Sequence, residues 1–135
     1  MHTTNYQNTF ITVADDSDAS EAIIPPLRAG KKTIAGLQFD MVYHHPYKYD
    51  SDDVIFGVYA LQKMFEEHEM EEQRAAFFSK GQACLRASTL GKKFGWGIHA
   101  NHEGKIAIYA VDSPEYASFM QDDSVKKVKA MRSKK

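Results

Sequence analysis

The run Phe94–Tyr116, FGWGIHANHEGKIAIYAVDSPEY, constrains the fold more than any other stretch of the chain. Apolar side chains alternate with small or polar ones on both sides of His102-Glu103-Gly104, the pattern of two strands joined by a three-residue loop with Gly104 at its left-handed position. That loop sets a register. Asn101 pairs with Lys105, His99 with Ala107, Gly97 with Tyr109 and Gly95 with Val111. Because strand side chains alternate between faces, Trp96 and Ile98 then share one face with Ile106, Ile108 and Ala110. That face is large and apolar, so it is expected beneath the helices, with the Trp96 indole N–H on a backbone carbonyl. The opposite face carries Gly95, Gly97, His99, Ala107 and Tyr109.

The same run ends in a helix start. Ser113 is a cap, Pro114 suits the first helical position, and Glu115 is a first-turn acid. Tyr116, Phe119 and Met120 give that helix an apolar side. Upstream, TFITVA (residues 9–14) reads as a strand and Asp15–Lys32 as a loop broken by Pro25-Pro26 and Gly30. Ile34, Leu37, Met41 and Val42 recur at helical spacing, with Thr33 as cap and Pro46 as stop. Ser51 opens a second helix, with Asp52 and Asp53 at its positive end and Val54, Val58, Leu61 and Phe65 on its apolar face. Glu66–Ser79 continues it or forms a third, and Gly81 closes it. Ala83, Leu85 and Ala87 alternate with Cys84, Arg86 and Ser88 and predict another strand, followed by a turn over Thr89–Lys93. The expected class is α+β: an antiparallel β-meander of three to four strands with helices packed on one face.

At 135 residues the chain fits a single domain, residues 1–135. The formal net charge is −1, so no bulk attraction to nucleic acid or to an anionic membrane is expected. The charge is uneven all the same. Asp15, Asp16, Asp18 and Glu21 cluster early, and Lys126, Lys127, Lys129, Arg132, Lys134 and Lys135 crowd residues 126–135, which read as a disordered basic tail. Aromatic residues do not interleave those cations, which weakens a stacking role on nucleic acid. The lone cysteine, Cys84, excludes an intrachain disulfide and fits a reducing, cytoplasmic setting. No apolar run reaches membrane-spanning length, and MHTTNYQNTF is not a secretory signal.

Small residues on the Gly95–Gly97–His99 face leave room for a ligand on the sheet. Arg86, from the strand expected beside it, would hold an anion, and His99, with Tyr109 near, would hydrogen-bond or move a proton. The bland reading lays Tyr109 across Gly97 and fills the gap. The six histidines lack metal-ligand spacing: there is no HExxH, no paired CxxC and no calcium loop. GKKTIAG and GKKFGWG lack phosphate-loop spacing, and no GxSxG elbow is present. The residues assign no metal, cofactor or catalytic residue and specify no reaction.

Several blocks in order, HPYKYDSDDVIFGVYA, FFSKGQACLRAS, the GWGIH-to-IAIYAVDSPEY hairpin and the closing VKAMRSKK, resemble the family of domain of unknown function 6157. NTFITVA and PPLRAGKKTIAGLQ resemble it too, so the likeness covers nearly the whole chain. It implies a conserved single-domain protein and supplies no activity. The residues point to a binding module for a small anionic ligand or a protein partner, on the Arg86–His99 face or the aromatic segment His44–Tyr49. Two alternatives stand beside it: a small enzyme using His99 as general acid or base, and nucleic-acid binding through the basic tail.

Overall fold

The computed structural model describes residues 1–133. Strand β1 (Thr9–Thr12) is followed by helices α1 (Ile34–Tyr43), α2 (Ser51–Lys63), α3 (Met70–Phe78) and the single turn α4 (Thr89–Lys92). Strands β2 (Trp96–Ala100) and β3 (Ile106–Ala110), helix α5 (Pro114–Gln121) and strand β4 (Lys126–Lys129) complete the order. The sheet runs β3-β2-β1-β4. β1 pairs antiparallel with β2, and β2 antiparallel with β3, whereas β4 lies parallel to β1. The fold is α+β, and its sheet is mixed where an antiparallel meander was expected.

Two local features make the sheet mixed. The alternation at Ala83–Ser88 does not make a strand; Leu85–Ala87 is a 3-10 turn. Of its small apolar residues only Leu85 is buried, so alternation here reflects alanines with little to bury rather than a core-facing edge. The missing strand comes from Lys126–Lys129, part of the stretch expected to trail as a tail. Lysines suit an edge strand because they discourage pairing with other chains. Lys134 and Lys135 lie outside the described residues.

Register explains the layers. Ile11 sits opposite Ile98, and Ile98 opposite Ile108, on one face; Phe10 sits opposite His99 on the other. The first face packs on α1, α2 and α4 through Phe39, Val42, Val54, Leu90 and Trp96. The Trp96 indole donates to the Ile23 carbonyl at 2.8 Å. The second face carries its own cluster of Phe10, Tyr116 and Val125, with Tyr109 and Phe119 packed against it. Helix α5 therefore lies on the face expected to be bare. All four residues of β1 are buried, as a central strand covered on both sides requires.

The helix ends follow simple chemistry. Thr33 Oγ1 accepts from Gly36 N at 3.1 Å, and Ser113 Oγ from Tyr116 N at 3.2 Å. The cap of α2 is Asp50, one residue before the expected Ser51, in a reciprocal box with Asp53. Met64 breaks α2 from α3 in the left-handed conformation, at φ 59°. Phe56, Ala60 and Phe78 then clasp the two helices together. The N-terminal segment is tied to the start of α2: Asp52 accepts from Thr3 Oγ1, Thr4 N and Thr4 Oγ1, each at 2.7 Å.

Candidate functional site

Gly97, His99 and Tyr109 share one face, as the register required. The structure does not bring Arg86 to them. Its Nε donates to the Lys129 carbonyl at 2.6 Å, beside the end of β4. Gly95 precedes β2 at φ +80°, and a Cβ there would come within 2.7 Å of the Glu21 carbonyl oxygen. It accommodates the incoming loop and is not a floor for a ligand. Gly97 is overlaid most closely by the rings of Phe10 and Tyr116. A Cβ on it would meet Phe10 Cζ at 2.4 Å and Tyr116 Cε2 at 2.7 Å.

His99 is the polar centre of this face. Its ring stacks on Phe119 at 4.2 Å between centroids. The Tyr47 hydroxyl lies 2.8 Å from Nδ1 and 2.9 Å from the Tyr109 hydroxyl, so a single phenol bridges the imidazole and the second tyrosine. With Nδ1 unprotonated, Tyr109 donates to Tyr47 and Tyr47 donates to His99; with Nδ1 protonated the chain reverses. Burial pushes the imidazole below its ordinary value, and the Asp122 carboxylate opposes that shift. Burial also pushes the Tyr47 phenol up, aided by Tyr109. Asp122 itself is held below the usual carboxylate range, first by the Ser124 hydroxyl and then by the Ser124 amide.

Tyr47 was expected only as part of the exposed aromatic segment His44–Tyr49, not as a partner of His99. It enters through backbone pairing: Tyr47 N donates to Ile106 O at 2.8 Å, and Ile106 N to Tyr49 O at 2.9 Å. Its φ of 60° turns the side chain out of the path of a regular strand. Periodicity carries no trace of such a loop. The exposed aromatic segment His44–Tyr49 is thus divided: His44, His45 and Pro46 are exposed, while Tyr47 reaches His99.

Because the imidazole resists protonation when folded, the unfolded chain takes up a proton that the native state does not. Stability contributed by His99 is present above about pH 6.5 and is lost as pH falls from there through the lower folded value. The melting temperature is expected to drop between about pH 7 and about pH 5. In His99→Gln that drop shrinks. A drop of equal size in both proteins would remove His99 as its source.

A different surface is open. Helices α2 and α3, with Met41 of α1, enclose a groove of about 840 Å³ lined by Phe56, Leu61, Met64, Phe65 and Met70. Leu61 is 58% and Met64 84% exposed. Tyr49 and Lys48 stand at its edge, and an Asp53–Arg74 ion pair of 3.0 Å crosses it. Gly57 lets Met41 lie against α2; a Cβ there would approach the Met41 methyl at 2.8 Å. Glu66, Glu67, Glu69, Glu71 and Glu72 gather at the start of α3, next in the chain to the lining residues Phe65 and Met70.

The two charge blocks meet. Asp15 takes Lys129 at 3.1 Å and Arg132 at 3.7 Å, and Asp16 accepts from Ser133 N at 3.3 Å. Among the described residues no three potential metal ligands gather. No described helix is long and apolar enough to cross a membrane.

Sheet, helical layers and open groove define an α+β domain with an apolar groove on its helices. The chain belongs to DUF6157, a family of unknown function whose model it matches over residues 1–135. Among curated proteins and solved structures no match is found.

Proposed function

We propose that this protein is a single-domain binding module for a protein partner, and that the α2–α3 groove receives a basic amphipathic helix. One observation carries the reading: an open apolar groove in which Leu61 and Met64 face solvent. Exposed apolar surface of that kind marks an interaction site, and methionine-rich walls adapt to a partner's side chains. The five glutamates beside it outnumber the cations Lys48, Lys63 and Arg74, and Arg74 is already paired with Asp53. A helix with an apolar stripe and flanking lysines complements that arrangement. The lone Cys84 supports a cytoplasmic setting.

The small-anion alternative draws less support. Arg86 is committed to Lys129, and Phe10 and Tyr116 fill the space over Gly97. Nucleic-acid binding by the tail is weakened by the ion pairs to Asp15. Catalysis by His99 keeps one observation in its favour, the hydrogen-bonded chain through Tyr47. Fast exchange of the His99 ring N–H with water would support it, and slow exchange counts against it.

The test uses two labelled helical peptides, one of leucine and lysine, the other of leucine and glutamate. The basic peptide is expected to bind, more weakly at high salt, and the acidic one not. Leu61→Asp, at an exposed site, is expected to weaken binding about tenfold or more without unfolding the protein. Equal binding of both peptides, or indifference to Leu61→Asp, overturns the reading.

A further inference from the structure

On another side of α2 lies a second, smaller cavity of about 350 Å³. Ile34, Ile55, Val58, Tyr59, Phe77 and Leu85 form apolar walls, and no charged side chain lines it. Gln38 stands among them, only 7% exposed. Ser88 Oγ donates to Gln38 Oε1 at 2.5 Å. Ser88 Oγ also accepts from Leu90 N at 3.2 Å as the cap of α4, so the hydroxyl that orients the amide is itself held in place. The amide's other end, Nε2, has no partner among the described residues, on a side chain that lines the cavity. It is not sealed inside the protein, since no buried side-chain nitrogen or oxygen among the described residues lacks a partner.

Ligand sites are commonly apolar concavities of this size with a few fixed polar groups. We propose that this cavity binds a small uncharged molecule whose apolar body fills the walls and whose carbonyl oxygen accepts from Gln38 Nε2. The donor selects an acceptor. The absence of a lining cation selects against a carboxylate, whose charge would be desolvated without compensation. Ser88 holds the amide in one orientation, so the donor is set before the ligand arrives. The site is separate from the α2–α3 groove, and its failure would leave the partner reading standing.

Cys84 lines the same cavity and is the only cysteine, so its labelling by a thiol reagent reports occupancy at one place. The probes are acetophenone and octan-2-one, with benzoate as the charged control. At about ten times the dissociation constant, a ketone is expected to slow labelling about tenfold and to raise the melting temperature. Benzoate is expected to do neither. Gln38→Met keeps the volume, removes the donor and should abolish both effects. If that variant does not fold, Ala87→Phe, which fills the cavity and leaves the donor, must abolish the rise in melting temperature. No response of the native protein to either ketone overturns the proposal. So does an equal response to benzoate, or a ketone response that survives in whichever folded variant is used.

Discussion

Replacing Gly97 with alanine is expected to cost about 3 kcal/mol of stability or to prevent folding. The added methyl would enter the rings of Phe10 and Tyr116, at 2.4 and 2.7 Å. Neither ring can retreat. Phe10 is wholly buried and stacks on Phe119 at 4.9 Å. Tyr116 is pinned by its hydroxyl, which accepts from Val13 N at 3.0 Å. Gly57→Ala is the matched control. Its methyl meets only the flexible end of Met41, and a helical alanine repays about 1 kcal/mol of backbone entropy, so the net change is small. Urea denaturation of the two variants separates a packed second face from an open one. Near-native stability of Gly97→Ala would mean that α5 does not cover the sheet.

Asp52→Ala is expected to cost a similar amount, about 3 kcal/mol. Thr4 is buried at 5% exposure, and truncation leaves its amide and the Thr3 hydroxyl facing an empty site and its own hydroxyl with Ser51 Oγ alone, at 3.0 Å. The loss also loosens the chain before β1 from the start of α2, leaving it the bonds of Thr4 to Ser51 and of Asn5 to Asp50 and Asp52 N. Amide exchange at Thr4 and Asn5 should then quicken well before global unfolding. Asp52→Asn keeps one acceptor oxygen and is expected to fall between the two. If exchange at Thr4 stays protected in Asp52→Ala, the segment is held by something other than this carboxylate.

Where chemistry was local, the sequence was readable. The hairpin register follows from its three-residue loop, and the Thr33 and Ser113 caps follow from their side chains. The indole of Trp96 meets a carbonyl because a buried N–H must. The failures share a cause, which is distance along the chain. Nothing in KKVK announces an edge strand, because its lysines look the same on an edge as in a tail. β1 is buried on both faces, but Thr9 and Thr12 interrupt the continuous apolar run that would mark a central strand. Tyr47 reaches His99 across a sequence separation of 52 residues through a loop with no periodic signal. Arg86 lies beside Lys129 and not on the His99 face because the expected strand is a 3-10 turn, where small residues alternate as easily.

Methionine methyl spectra test the proposed partner-binding groove most directly. The chain holds six methionines. Met41, Met64 and Met70 line the α2–α3 groove, whereas Met1, Met120 and Met131 do not, and Met120 lies on α5. Titration with the leucine–lysine helix is expected to shift the groove signals and leave the other three in place. Shifts at Met120 with the groove signals unmoved would return recognition to the sheet side and contradict the partner-binding groove.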